Sequence, residues 1–194
     1  MICQLKIWRA VTDYEGLYEV SDTGLVRSIP RSGTKGGILK PVTDKDGYLR
    51  VQLCKNCKKK MYQVHRLVAM AFIANPENKP TIEHWDADKK NNHVSNLCWA
   101  THSEQMQTVP CKGYSWDKQK GKWVAQIKIP RTGKYKHIGY FEREEDAHAA
   151  YIAEKYKHHP FWVKKQEQLK KQKEQKEKEQ QKEILKIKIT TIKK

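Results

Sequence analysis

Glu83-His84, Asn96 twelve residues on, and the helix start at Thr101 supply side-chain types that can hydrolyse a phosphodiester. Such a reaction needs a base for water, a cation on the phosphate and leaving oxygen, and rigid placement of both. His84 suits the base, because imidazole titrates near neutral pH. Glu83 offers a metal a hard oxygen, with Asp86 and Asp88 as further carboxylates nearby. Glu104 and Gln105 stand in the first turn of the next helix, whose N-terminus would favour a bound phosphate. Few protein oxygens, completed by water and phosphate, suit magnesium, or manganese in its place. A plainer reading stays open: His84-Trp85-Asp86 as a half-buried strand end, and Asn91-Asn92 as a loop turn.

These residues depend on elements that the pattern predicts in four segments. In 5–30, Leu17–Val20 and Leu25–Ser28 flank the turn Ser21-Asp22-Thr23-Gly24, a small hairpin. The Gly-rich, basic stretch 31–38 reads as a mobile loop. In 45–108, Tyr48–Leu53 alternates apolar and polar, CKNCKKK turns the chain, and Met61–Val64 returns. Val64, Leu67, Val68, Ala71 and Phe72 have helical spacing, and Asn75-Pro76 ends that helix. Strands follow at Thr81–His84 and Leu97–Ala100. Thr101 and Glu104 have capping-box spacing for the next helix.

The segment 112–158 holds strand-like runs near Tyr114–Trp116, Lys122–Ile129 and Lys136–Phe141, then a helix near Glu144–Tyr156. In the central run Trp123, Ala125, Ile127 and Ile129 share one face by period-two alternation, and Lys122, Val124, Gln126 and Lys128 the other. The first face would pack on Ala147, Ala150 and Tyr151. The second would be exposed and cationic, either as a solvated face or as a sheet entering the major groove of duplex DNA. The last segment, 163–194, is low-complexity, with twelve lysines against five glutamates. It reads as a solvated or partly disordered helix without a stripe to bury, with contact to a nucleic-acid backbone as the other reading. The fold class is α+β, built from small modules.

Composition narrows the partners. The chain has 194 residues and a net charge of +17, which favours a polyanion. Residues 112–141 carry eight Lys/Arg against one acid, and 142–158 carry three against five. No run of eighteen apolar residues exists and MICQLKIWRA lacks a signal-peptide core, so no membrane partner is expected and the location read is cytoplasmic. Five cysteines in that setting are expected to be reduced thiols. Cys54-Lys55-Asn56-Cys57 has metal-knuckle spacing but lacks a second ligand pair, so it reads first as a hairpin turn. His65 is expected to cap its helix or bond locally, and His93, His102, His158 and His159 to face solvent.

The segment VHRLVAMAFIANPENKPTIEHWDADKKNNHVSNLCWATHSEQM resembles the HNH nuclease motif of phage and intron-encoded homing endonucleases, with correspondence from Tyr48 to Gln107. Trp8, Tyr14–Tyr18, Val20-Ser21 and Gly24–Ser28 resemble the modular element that commonly precedes it. The resemblance implies two strands and a helix around one metal ion. It makes His84 the general base and Asn96 the residue that pins the loop. It makes Glu83 and Gln105 the metal ligands, each one methylene longer than the family's usual Asp or Asn. The stretch 112–158 resembles the APETALA2-type DNA-binding domain through Gly113, Trp123, Ala125, Ile127, Ile138-Gly139, Phe141, Ala147, Ala150 and Tyr151. That likeness implies DNA contacts at Lys112, Lys122, Gln126, Lys128 and His137.

The combined expectation is a homing-type endonuclease acting on double-stranded DNA, in the host cell if phage-encoded. One active centre per chain implies a nicking monomer, and a dimer or a second turnover for a double-strand break. Two rivals stay open: a DNA-binding regulator with a degenerate nuclease core, and a basic RNA-associated structural protein.

Overall fold

Alternating apolar residues and tight turns build the first half of the chain from short strands. The computed structural model describes residues 6–192 and divides after His102 into two units. In the first, β1 (Trp8–Ala10), β2 (Tyr18–Ser21), β3 (Val26–Ser28) and β4 (Gly37–Ile38) form an antiparallel meander. A second meander joins β5 (Val42–Thr43), β6 (Leu49–Lys55) and β7 (Lys58–Gln63). Helix α1 (Val64–Phe72) comes directly after it, and β8 (Thr81–His84) pairs with β9 (Leu97–Ala100).

The two meanders are not separate bodies. Val11, Tyr14, Tyr18, Val20 and Val26 share one buried core with Val51, Leu53, Leu67, Val68, Ile82 and Leu97. The reading that separates 5–30 from 45–108 therefore differs from the packing: neither segment closes a core alone. The stretch 31–38 is also tied at both ends. Arg31 bridges Thr34 and donates to the carbonyls of Leu17 and Ile29, while Gly37-Ile38 extends the first sheet. The CxxC stretch is a hairpin turn. Asn56 and Cys57 both have positive φ (53° and 61°) between the paired Lys55 and Lys58, the backbone of a two-residue type I′ loop. Cys54, Cys57, Cys98 and Cys111 are free thiols.

The second unit takes α2 (His102–Thr108) from Ser103 onward. Strands β10 (Tyr114–Asp117), β11 (Lys122–Lys128) and β12 (Tyr135–Phe141) form an antiparallel sheet under α3 (Glu144–His158). Ala125 and Ile127 are buried with Ala147 and Tyr151, as period-two and helical spacing require. Gly113 is constrained twice: its φ is +70°, and an added Cβ would lie 2.0 Å from the Tyr151 ring.

Helix α4 (Pro160–Ile192) carries the tail, read as a solvated or partly disordered helix, and its first turns are packed. Phe161 and Lys165 are buried, and Trp162 meets Tyr156 edge-on at 5.2 Å. The basic run thus begins from an anchored turn. His159, expected in solvent, is buried as well. No helix among the described residues is long and apolar enough to cross a membrane.

Glu154 ties sheet to helix. Its carboxylate accepts hydrogen bonds from Lys136 on β12 (2.6 Å) and Lys157 on α3 (2.8 Å), which hold its pKa down to about 2. A depressed carboxyl stabilises the fold above its unfolded value of about 4.3, and that contribution is lost as pH falls through the folded value. Thermal unfolding of the second unit, followed by tryptophan fluorescence, should therefore place Glu154→Gln below wild type at pH 7. The gap should close as pH falls from about 4.5 toward 2.

Candidate active site and nucleic-acid interface

His84 ends β8 on the same face as Ile82, so strand alternation turns its ring inward. Only 5% of the residue is exposed. Its ring lies 5.2 Å from that of His65 and 5.9 Å from that of Tyr48, and Tyr48 also stacks on His65 at 4.9 Å. The His84 Nε2 is 3.2 Å from Asn92 Oδ1. Asn92 Oδ1 accepts from the ring where Nε2 carries the proton, and the buried Asn92 Nδ2 finds no partner among the described residues in this arrangement. Burial pushes the His84 pKa down, and the contact with Asn92 and the charges of Asp86, Glu83 and Asp88 oppose it only in part. The imidazole is therefore neutral at pH 7.

Asn96 organises the loop between β8 and β9. It is 1% exposed. Its Nδ2 donates to Asp86 Oδ1 (2.8 Å) and to the Asn91 carbonyl (2.9 Å), while its Oδ1 accepts from the Asp86 N–H (3.2 Å). Asn91 adds a 2.6 Å bond to Asp86 Oδ2. Burial pushes the Asp86 carboxyl up, but the donors Asn91, Asn96 and the Asp88 N–H outweigh it and hold the pKa below the usual range. Asp86, read from sequence as a spare carboxylate, is thus consumed by the loop.

Glu83 stands on the opposite face of β8, half-buried and paired with Cys98 across the hairpin. Gln105 lies half-buried on α2, in the second unit. The first unit therefore holds Glu83 and His84 on opposite faces of β8, with Asn96 in the turn before β9. Among the described residues no three His, Cys, Asp or Glu side chains converge as a metal cage. The donor set fits a hard cation held by few protein oxygens, the mode magnesium prefers.

In the second unit the sheet presents one face away from α3. Gln126 and His137 are direct cross-strand partners there, and Lys128 pairs with Tyr135. All of them are exposed. The register steps from Ala125–Gly139 to Gln126–His137, so Ile138 is an extra residue that bulges β12 and keeps His137 on this face. Lys122 reaches Glu142 at 2.7 Å and Lys112 reaches Glu144 at 3.9 Å. Such exposed pairs are worth little and exchange readily for a phosphate.

Comparison with known proteins places this geometry. The NUMOD4 motif matches residues 7–54 and the HNH endonuclease model matches 62–107. DNA endonuclease I-HmuI of Bacillus phage SP01 is 39% identical over 121 residues, which are 62% of this chain and 67% of that protein. The chain belongs to the HNH endonuclease family. Uncharacterized HNH endonuclease L245 of Acanthamoeba polyphaga mimivirus is 47% identical over 68 residues, 35% of this chain and 21% of its own length. A solved structure described as DNA binding and cleavage by the HNH homing endonuclease I-HmuI shares 35% identity, covers 68% of this chain and 76% of that one, and has a TM-score of 0.49.

Sequence reading passed over two residues of this HNH segment. Asn92 looked like a loop turn, yet it is 3% exposed and touches the His84 ring. His65 looked like a local cap. The helix cap is Gln63, and His65 is packed against His84 with a pKa pushed down to about 3, first by burial and then by His84. The doubled histidine and Tyr48, all within one aromatic neighbourhood, had no signal in spacing.

The N-terminal turn buttresses this site. Gly24 has φ +86°, and a Cβ there would lie 2.7 Å from the Asn92 Cβ, while Val94 N–H donates to the Asp22 carbonyl at 2.8 Å. Gly24→Ala should cost about 1–3 kcal/mol from the left-handed backbone alone. It should also displace Asn92. Urea unfolding would read the first effect, and the NMR shift of the His84 ring the second. An unmoved His84 signal would separate the turn from the site.

Proposed function

We propose that this HNH endonuclease is a homing-type enzyme that hydrolyses one DNA phosphodiester, with a single divalent metal and His84 as general base. I-HmuI is by name a DNA endonuclease, and the chain covers two thirds of its length. The observation that carries the mechanism is the contact of His84 Nε2 with Asn92 Oδ1; in the tautomer protonated on Nε2, Nδ1 is the nitrogen that would take a proton from water. A neutral, desolvated imidazole is in the correct form for that step at pH 7. Asn96 and Asp86 hold the loop so that the ring cannot swing. Glu83 would give the metal one oxygen, and Gln105 is assigned the second from the motif alone. Bound magnesium or manganese would supply charge stabilisation for the phosphate and the 3′ leaving oxygen. The sheet of the second unit, read as an APETALA2-type domain, would hold duplex DNA through Lys112, Lys122, Gln126, Lys128 and His137. Lysine and histidine there give backbone positioning more than bidentate guanine readout.

A DNA-binding regulator with an inactive core is the second reading. It is favoured by the near-complete burial of His84 and by the extra methylene in Glu83 and Gln105. One experiment divides the two. Purified full chain is incubated with plasmid DNA in magnesium or in chelator, beside His84→Ala. The enzyme reading expects nicking only with metal, and a loss of about 10²–10⁴ in His84→Ala. Equal cutting by both would remove the base. Tight binding with no cutting, and activity gained in Glu83→Asp with Gln105→Asn, would establish the regulator.

The pH profile is set by the same burial. A base must be deprotonated, so the rate falls as pH drops through its pKa. Because that pKa is lowered, cleavage should stay level from pH 8 down past the ordinary imidazole value of about 6.5 and decline only below it. Single-turnover rates across pH 5–8 would check this. A midpoint above about 6.5 would contradict the buried geometry.

A further inference from the structure

Four of the eight lysines from Lys164 to Lys182 share one face of helix α4. Lys164, Gln168, Lys171, Gln175, Lys178 and Lys182 recur at steps of 4, 3, 4, 3 and 4, so they lie along one side of the helix. None of the five glutamates from Glu167 to Glu183 falls on these positions. The stripe runs about 27 Å at ~1.5 Å per residue. Phosphates of one DNA strand recur every ~3.4 Å along the duplex, so the stripe is as long as about eight of them.

The helix is held at its base. Phe161 is buried, its N–H donates to Gln107 Oε1 at 3.1 Å, and the Lys155 ammonium sits 4.9 Å over the Trp162 ring. From Lys173 to Leu185 every residue is exposed. Among the described residues no ion pair engages Lys171, Lys178 or Lys182. The stripe holds no acid, while Lys165, Lys170, Lys173 and Lys176 lie off it. Lysine and glutamine both donate hydrogen bonds to phosphate oxygens, and neither repels them.

We infer that the Lys/Gln stripe of α4 is a second DNA-binding surface that docks along the phosphate backbone of the duplex without reading its sequence. This rests on the proposed DNA function. It adds affinity that belongs to neither the nuclease core nor the three-stranded sheet.

The test compares two full-length variants with equal loss of charge, Lys171→Gln/Lys178→Gln/Lys182→Gln on the stripe and Lys170→Gln/Lys173→Gln/Lys176→Gln off it. Glutamine keeps helix propensity close to that of lysine. Binding to a 30-base-pair DNA duplex is measured in chelator across salt. The stripe variant should flatten the slope of log K against log salt by about 2.7, which is ~0.9 for each phosphate deprived of its lysine, while the other variant changes it by less than about 1. Equal flattening in both would reduce the tail to net charge and overturn the stripe, and so would no change in either. A loss seen only on double-stranded RNA would overturn the choice of DNA. Because no cutting is needed, a wild type that never cleaves would sink the endonuclease reading and still leave these slopes to decide the stripe.

Discussion

The bond network between Asn96 and Asp86 is the constraint on which the candidate active site depends. An exposed carboxylate and a buried carboxamide satisfy each other and three neighbouring groups, Asn91 and the backbone at Asn91 and Asp88. Hydrogen bonds to a charged partner are worth about 1.5–3 kcal/mol, and an orphaned buried donor costs about as much. The loop from Trp85 to Asn96 therefore has one low-energy arrangement. That arrangement brings Asn92 to the His84 ring. Loop shape and the placement of Asn92 both derive from one network.

The same network explains which carboxylate remains for chemistry. Both oxygens of Asp86 are occupied, Asp88 accepts from the Lys90 N–H, and Glu83 faces the other side of β8. His65 completes the separation of roles. Its pKa of about 3 keeps it uncharged beside His84 at any working pH, so it packs without adding a positive charge that would compete with a cation. The N-terminal meander joins in through Gly24 and Asp22, which abut the loop, and through a shared core. Residues 7–54 thus act as part of the nuclease scaffold as well as a segment in their own right.

Period carried the elements well. Alternation placed β6, β8, β9 and β11, and helical spacing placed α1 from Val64 to Phe72, because each has one apolar face that a solvent-exposed chain must bury. The turn at Asn56-Cys57 was legible for a local reason, a two-residue hairpin loop. What was not legible is tertiary. Asn92, His65 and His159 are polar residues in polar sequence, and only the fold decides that they are enclosed. The anchoring of α4 by Phe161 and Lys165 was hidden by the Lys/Gln/Glu bias of residues 166–183.

The longer Glu83 side chain meets a site with one rigid half. His84 is walled in by Tyr48, His65 and Asn92, so under the proposed mechanism the base would have little room to track a displaced metal. A displacement near 1 Å costs of order 100-fold when the reacting groups cannot readjust. Adjustment must therefore come from the acid side. Glu83 sits on a half-buried face, and its additional torsion allows the carboxylate to fold back toward the strand, at a cost of roughly 0.5–1.5 kcal/mol for an off-rotamer angle. That penalty is smaller than the ~2.7 kcal/mol that a 100-fold loss represents. Under the proposed mechanism, a strained glutamate that held the metal where an aspartate would costs the reaction less than a relaxed one that moved it.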